Sequence, residues 1–296
     1  MVPFRHKPLP AALAVALLAA LPSGAAEIAP SHCLWTATKD GRTHHLLGSV
    51  HVLKPTDFPL AAPIREAYAD SQRVIFEADI DALNSPKVQR RMIELGMYPE
   101  GTSLFETLPA PLAKDLKAAL AKRRMPALLF DRQRPWMVAV TLPVLELQRL
   151  GYSALHGVDQ HFHRLASKDD KQLGFLETAD FQLQLLSGFP EKEQIAFLEK
   201  TVAELGEAGE LIGSMMKVWK SGDTGTLGET LVESFDDHPG LYAKMLTDRN
   251  KAWIPKLERW FAADETCLVV VGAGHLVGED SVVELLRKKG WKVEQR

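Results

Sequence analysis

Two apolar runs at opposite ends of this 296-residue chain stop in the same way. Near the start, His45-Leu-Leu-Gly-Ser-Val-His51 leads through Gly48 to His51. Near the end, Cys267-Leu-Val-Val-Val-Gly-Ala-Gly-His275 leads through Gly272 to His275. A short apolar run closed by a glycine reads as a buried strand. Two further strands end on carboxylates: Val74-Ile-Phe-Glu-Ala-Asp79 and Phe175-Leu-Glu-Thr-Ala-Asp180. The chain order is therefore His, Glu, Glu, His. That is a weak internal repeat of two βα-type halves, which are expected to meet head to head. All four side chains sit at the carboxyl ends of strands, where open α/β sheets hold their ligands.

The remaining elements fit around this frame. Cys33–Thr38 alternates as a strand, Asp40-Gly41 marks a turn, and the strand His44–Val50 follows, which makes a hairpin. Residues 59–70 read as helix and 73–78 as strand. From Ser85-Pro86, a helix start with proline in the first turn, to about Phe261 the pattern is helical, with helices over 109–124, 135–150 and 156–168. Only the strand 172–177 interrupts it. Ile195, Leu198, Val202, Leu205, Ile212, Met216 and Trp219 form one stripe, which predicts a single helix over 191–220 with Met215 and Met216 in its core face. Strand 266–271, a helix over 281–289 and a final strand at 290–294 complete the chain. The fold class expected is α/β with α+β character: a mixed central sheet built from duplicated strand-Gly-x-x-His and strand-Glu halves, with a large helical insertion over roughly 85–261.

Composition narrows the function classes. Hydrophobic residues make up 46% and charged residues 25% of the chain, enough for a real core. Arg5 and Lys7, the apolar stretch Leu9–Leu21 and the small residues before Glu27 form an export-signal pattern over 1–26. Residues 27–296 are then one exported, periplasmic domain with no stable membrane insertion after cleavage. Loss of Arg5 and Lys7 leaves 33 basic against 38 acidic residues and moves the formal charge from −3 to −5, a poor footprint for nucleic acid. Cys33 and Cys267 each sit at the start of a predicted strand, and in an oxidising compartment they form either a disulfide or two unrelated buried thiols.

Imidazole nitrogen together with carboxylate oxygen suits a divalent transition metal (Mn, Co, Zn or Fe) rather than calcium. Glycine before each histidine gives room for close approach and permits positive φ where the strand breaks. The alternatives are hydrogen-bonded core histidines, and glutamates paired with Arg249 or Arg134. The histidine-rich segment His156-Gly-Val-Asp-Gln-His-Phe-His163 is a weaker candidate, because His161 and His163 point to different faces of a helix. Asp159 reads there as a helix-start residue or as support for a neighbouring ligand. His44 and His45 face opposite sides of one strand.

The set Leu34-Trp35, Leu47-Gly-Ser-Val-His51, Phe76-Glu77, Gly157-Val-Asp159, Leu176-Glu177-Thr178, Arg249-Asn-Lys-Ala-Trp253 and Val271-Gly-Ala-Gly-His-Leu-Val-Gly278 resembles the TraB/GumN family, related to the animal Tiki proteins. The resemblance runs from about residue 32 to 294. It implies an α/β core with a helical insertion and a metal-dependent protease activity, with His51, His275 and Glu77 essential. Glu177 and Arg249 are implied as further site groups.

The expected function is an exported metal-dependent hydrolase, a peptidase, acting on a peptide or small-molecule substrate. His51 and His275 bind the metal. Glu77 completes the shell or activates water, Glu177 is a fourth ligand or the alternate base, and Arg249 and Asn250 stabilise an oxyanion or hold substrate. The rival is a non-catalytic periplasmic protein that captures haem, iron or a signalling peptide in the same cleft.

Overall fold

The computed structural model describes residues 32–235 and 239–296, so the expected export signal over 1–26 lies outside the described residues. The chain falls into two compact units. One comprises residues up to Glu77, Tyr152–Leu176 and Glu210–Arg296; the other comprises Ala78–Gly151 and Glu177–Gly209.

The first unit is built on one six-stranded sheet: β1 (Leu34–Lys39), β2 (Arg42–Ser49), β3 (Arg73–Phe76), β4 (Gln172–Phe175), β5 (Cys267–Gly272) and β6 (Lys292–Gln295), in the spatial order β4-β3-β5-β2-β1-β6. The β1–β2 hairpin turns at Asp40-Gly41, where both residues take positive φ (51° and 75°), as a tight two-residue turn demands. β2, β5, β3 and β4 run parallel, and β1 is antiparallel to both β2 and β6. The strands of the duplicated halves therefore alternate within one parallel block, and the halves do not meet head to head. β5 is the centre of that block, and Leu268, Val269, Val270 and Val271 are all buried. A parallel strand covered on both faces needs an unbroken apolar run, which is what this segment supplies. Register then fixes the edge: Ser49 pairs with Gly272, Phe76 with Val270, and Phe175 with Phe76. The carboxyl ends of all four parallel strands share one side of the sheet.

The same register settles the cysteines. Leu34 pairs with Leu47, so Cys33 lies at the Gly48 end of β2; Leu268 pairs with His45, so Cys267 lies at the His44 end. Four residues of strand span roughly 13 Å, well beyond disulfide reach. Both are free, buried thiols, each pushed up to about 12, mainly by burial.

His44 and His45 are buried core histidines. His44 stacks on Phe261 with ring centroids 4.1 Å apart, and its Nδ1 accepts from the Cys267 amide at 3.2 Å. Burial lowers its pKa to about 4. The folded state thus binds the proton more weakly than the unfolded chain does, and stability falls as pH drops from about 6.5 to 4. His44→Phe is expected to remove ~2–3 kcal/mol of that loss. Thermal melts of wild type and variant at pH 7 and pH 4.5 check this; parallel pH dependence would count against it.

The second unit is helical. Tyr98, Leu104, Leu116, Leu120, Val138, Leu142, Leu198 and Leu205 belong to its core. Glu146, 4% exposed, is bonded by Arg123 at 2.9 Å and by Arg149 at 2.6 Å, and those two guanidinium groups hold its carboxyl below the usual range. The expected single helix over 191–220 is two, Glu191–Glu204 and Ala208–Ser221. Gly206 lies in the break, where its poor helix propensity costs about 1 kcal/mol less than it would within a helix. The apolar stripe hid the break because both helices bury a face: Leu198 and Leu205 in this unit, Met215, Met216 and Trp219 in the other. Among the described residues, no helix is long and apolar enough to cross a membrane.

Candidate functional site

The carboxyl edge of the first unit gathers the histidines of both Gly-x-x-His segments. Gly48 is required for space, because a Cβ there would lie 3.0 Å from the Ala273 Cα and 3.1 Å from its Cβ. The two turns thus pack directly on each other. Gly272 follows the same logic: a Cβ there would lie 3.2 Å from Glu77 Oε1, 3.7 Å from His275 Cδ2 and 3.9 Å from His51 Nε2. Neither glycine takes positive φ, so their purpose is room and not backbone freedom. The small volume above Gly272 is where both imidazoles and the carboxylate converge.

His275 is buried and held on both nitrogens. Its Nδ1 lies 2.6 Å from Asn250 Oδ1, and the Asn250 Nδ2 donates to the Asp280 carbonyl at 2.9 Å. That second bond fixes which way the amide faces, so Nδ1 of His275 must be the protonated donor and Nε2 keeps a lone pair. Burial lowers the His275 pKa to about 3, so it is neutral at pH 7. Arg249 Nη1 donates to that Nε2 at 3.0 Å, and the Trp253 ring packs 4.3 Å from the imidazole.

Glu77 follows β3 at the same edge. Its Oε2 accepts from Arg249 Nη2 at 2.6 Å and its Oε1 from the Gly272 amide at 2.7 Å, while His275 Nε2 stands 3.8 Å from Oε1. Burial alone would raise its pKa. His275, Arg249, His51 and the Gly272 amide outweigh burial and bring it to about 2. With His275 neutral, Arg249, bonded directly to the carboxylate, is the main charge that keeps Glu77 ionised, and His51 adds to it. The buried pairing of Glu77 with Arg249, considered from sequence as the structural alternative, is therefore present.

His51 differs: its side chain is 57% exposed, and its Nδ1 lies 3.2 Å from Asp159 Oδ1. Asp159 raises its pKa to about 9. The contact depends on Gly157, where a Cβ would lie 2.4 Å from the His51 carbonyl oxygen, and on the Val158 amide, which donates to the Val50 carbonyl at 2.9 Å. Asp159 thus supports His51 from the start of the helix Val158–Lys168. The other histidines of that segment pack on aromatic rings: His156 and His161 on Phe58, His163 on Phe76.

Of the residues singled out from sequence, the first unit brings together His51, Glu77, Arg249, Asn250 and His275. Glu177 belongs to the second unit, where Gln182 Nε2 donates to its carboxylate at 3.3 Å. Sequence reasoning missed the bond from Asn250 to Asp280. It also missed the π-helical turn Ala243–Thr247, which precedes the helix carrying Arg249 and leaves the Met245 carbonyl as a further acceptor for that guanidinium at 3.0 Å.

A family model for TraB/PrgY/gumN matches residues 33–295. The chain belongs to the TraB/PrgY/gumN family. Among its relatives in that family's range, the uncharacterized protein YbaP of Escherichia coli (strain K12) is 27% identical over 261 residues, 87% of this chain and 94% of that one. The Metalloprotease TIKI homolog of Nematostella vectensis is 22% identical, covering 84% of this chain and 64% of its own length. Metalloprotease TIKI1 of Homo sapiens is 23% identical, covering 88% and 61%. No solved structure matches. For this TraB/PrgY/gumN chain, the match spans both Gly-x-x-His segments, Glu77 and Arg249.

Proposed function

We propose that this protein is an exported, metal-dependent hydrolase that cleaves peptide bonds at the His51–Glu77–His275 cluster. The observation that carries the reading is the convergence on Gly272 of two imidazoles and one ionised carboxylate, each imidazole held through its Nδ1 by an oxygen acceptor. Such supporting oxygens orient metal-binding histidines. The relatives named as metalloproteases support the same reaction class.

The donor set fits a divalent transition ion. His51 Nε2, His275 Nε2 and Glu77 Oε1 are the nitrogen and oxygen donors such ions favour. An ion held by these three donors would supply Lewis acidity and a water activated near neutral pH. Glu77, ionised, either completes the ligand set or takes the proton from the attacking water and passes it to the leaving amine. Asn250 acts as a positioning residue, since its amide is bonded to His275 on one side and to Asp280 on the other. Arg249 holds Glu77 ionised, and the lone pair that a metal takes on His275 is the one Arg249 Nη1 bonds here.

That last contact is also what favours the rival, a non-catalytic protein for haem, iron or a signalling peptide. Metal analysis of purified wild type and of His51→Ala/His275→Ala, with cleavage of a peptide library under Mn, Co, Zn and Fe, separates the two. The hydrolase reading expects bound metal that the double variant loses, together with chelator-sensitive cleavage. Ligand uptake without turnover under any of the four ions would rule it out.

A further inference from the structure

Beside this cluster lies a cavity of about 130 Å³. Met215, Trp219, Leu227, Leu231, Met245 and Leu246 form its apolar wall. Among the described residues, the only ionisable ones lining it are His51, Glu77, Arg249 and His275, all at the reacting end. A void this large beside a polar cluster differs from an ordinary packing defect, since folded cores leave few spaces larger than a water. Its size also sets what fits: an apolar cavity of ~150 Å³ accepts benzene. An isobutyl, thioether or phenyl group therefore matches, and an indole does not. A charged side chain would be buried without a counter-charge along this wall, which is strongly disfavoured. The two methionines can adjust to branched or aromatic shapes.

A second observation points to the same occupant. Ser49 also lines the cavity, is 3% exposed, and its hydroxyl has no hydrogen-bond partner among the described residues. Ser49 pairs with Gly272 across β2 and β5, which puts it at the edge where Glu77 and the histidines meet. A buried hydroxyl left without a partner is costly, and an incoming peptide carbonyl or amide would satisfy it. Exposed His51 leaves the cluster open to solvent, so an incoming chain has a way in.

We infer that this cavity is the side-chain pocket of a peptide substrate: it takes one large apolar residue of the Leu, Ile, Met or Phe class beside the reacting bond, and Ser49 Oγ hydrogen-bonds that residue's backbone. The inference rests on the peptidase reading above and adds a substrate class to it.

The test is a set of peptides that differ at one position, carrying Leu, Met, Phe, Ala, Lys or Glu there, assayed for turnover with each of the four ions and for binding by calorimetry. Wild type is expected to prefer Leu, Met and Phe over Ala by tenfold or more in kcat/KM, with Lys and Glu lowest. Leu231→Trp, which fills the pocket, should cut the Leu-to-Ala ratio by at least tenfold. Leu231→Ala, which enlarges it, should move the optimum toward Phe and larger side chains. Those opposite shifts are not what general misfolding produces. Ser49→Ala should raise KM about fivefold to tenfold for every peptide and leave their order unchanged, a readout that a merely structural serine would not give. Equal rates at all six residues, or a preference that Leu231→Trp does not alter, would overturn the inference. If no peptide is turned over, the hydrolase reading falls and calorimetry alone decides the pocket. Tighter binding of Leu and Phe peptides that Leu231→Trp abolishes upholds it; binding blind to that residue, or none, refutes it.

Discussion

Glu77→Gln is expected to lower kcat/KM by about 10³-fold or more, with bound metal retained on the two imidazoles. Glutamine can still accept from the Gly272 amide, so the turn that carries His275 keeps its support. What disappears is the charge and the ability to take a proton. General-base catalysis contributes roughly 10²–10⁴-fold, and a lost electrostatic contact in a dry site adds to that. Steady-state kinetics beside metal content in the same preparation reads both quantities. Turnover within tenfold of wild type would show that Glu77 is only half of a structural ion pair. Loss of metal together with turnover would assign it to the ligand set and leave the base to another group.

Arg249→Met is expected to carry the largest stability penalty at the site. The Arg249 guanidinium is 6% exposed and Glu77 is 15% exposed. Removing the arginine takes the guanidinium bonded at 2.6 Å away from a buried carboxylate, and the Gly272 amide, the neutral His275 and the solvent-exposed His51 replace it only in part, which costs ~3–5 kcal/mol. The thermal midpoint should fall by roughly 10 °C. Arg249→Met/Glu77→Gln should recover most of that loss, because an uncharged pair no longer needs compensation, and the non-additivity measures the coupling directly. Activity should not return with stability. A double variant no more stable than Arg249→Met alone would mean the arginine acts through Met245, His275 and Trp253 rather than through Glu77.

Much of this was legible in the sequence because it depends on short-range patterns. The Asp40-Gly41 turn declares its hairpin, and the apolar run of β5 declares a strand buried on both sides. Each histidine of the site follows a glycine that space demands. The relation between the halves was not legible, since parallel and head-to-head arrangements bury the same residues and differ only in pairing. The break at Gly206 was hidden by a stripe that keeps its period while serving two cores. The glycines were read as serving both close approach and positive φ, and the structure bears out the first and not the second. Asn250 drew attention through a family resemblance, yet its task is set by the carbonyl of Asp280, thirty positions later. No local pattern encodes such a bond. The pairing of Asp159 with His51 was half visible: the sequence offered a supporting role, and the tight approach of Gly157 shows what it supports.

The order of the strands has one more consequence. β5 sits between β2 and β3, yet it is made long after both, near residue 270. Until it emerges, β2 and β3 have no shared neighbour, and Gly272 is not there to receive Glu77. A nascent chain therefore carries an open seam down the middle of its sheet, and closing it requires contacts of very long sequence separation, which is slow. Whatever chemistry the cluster performs waits on β5, long after His51 and Glu77 have been made.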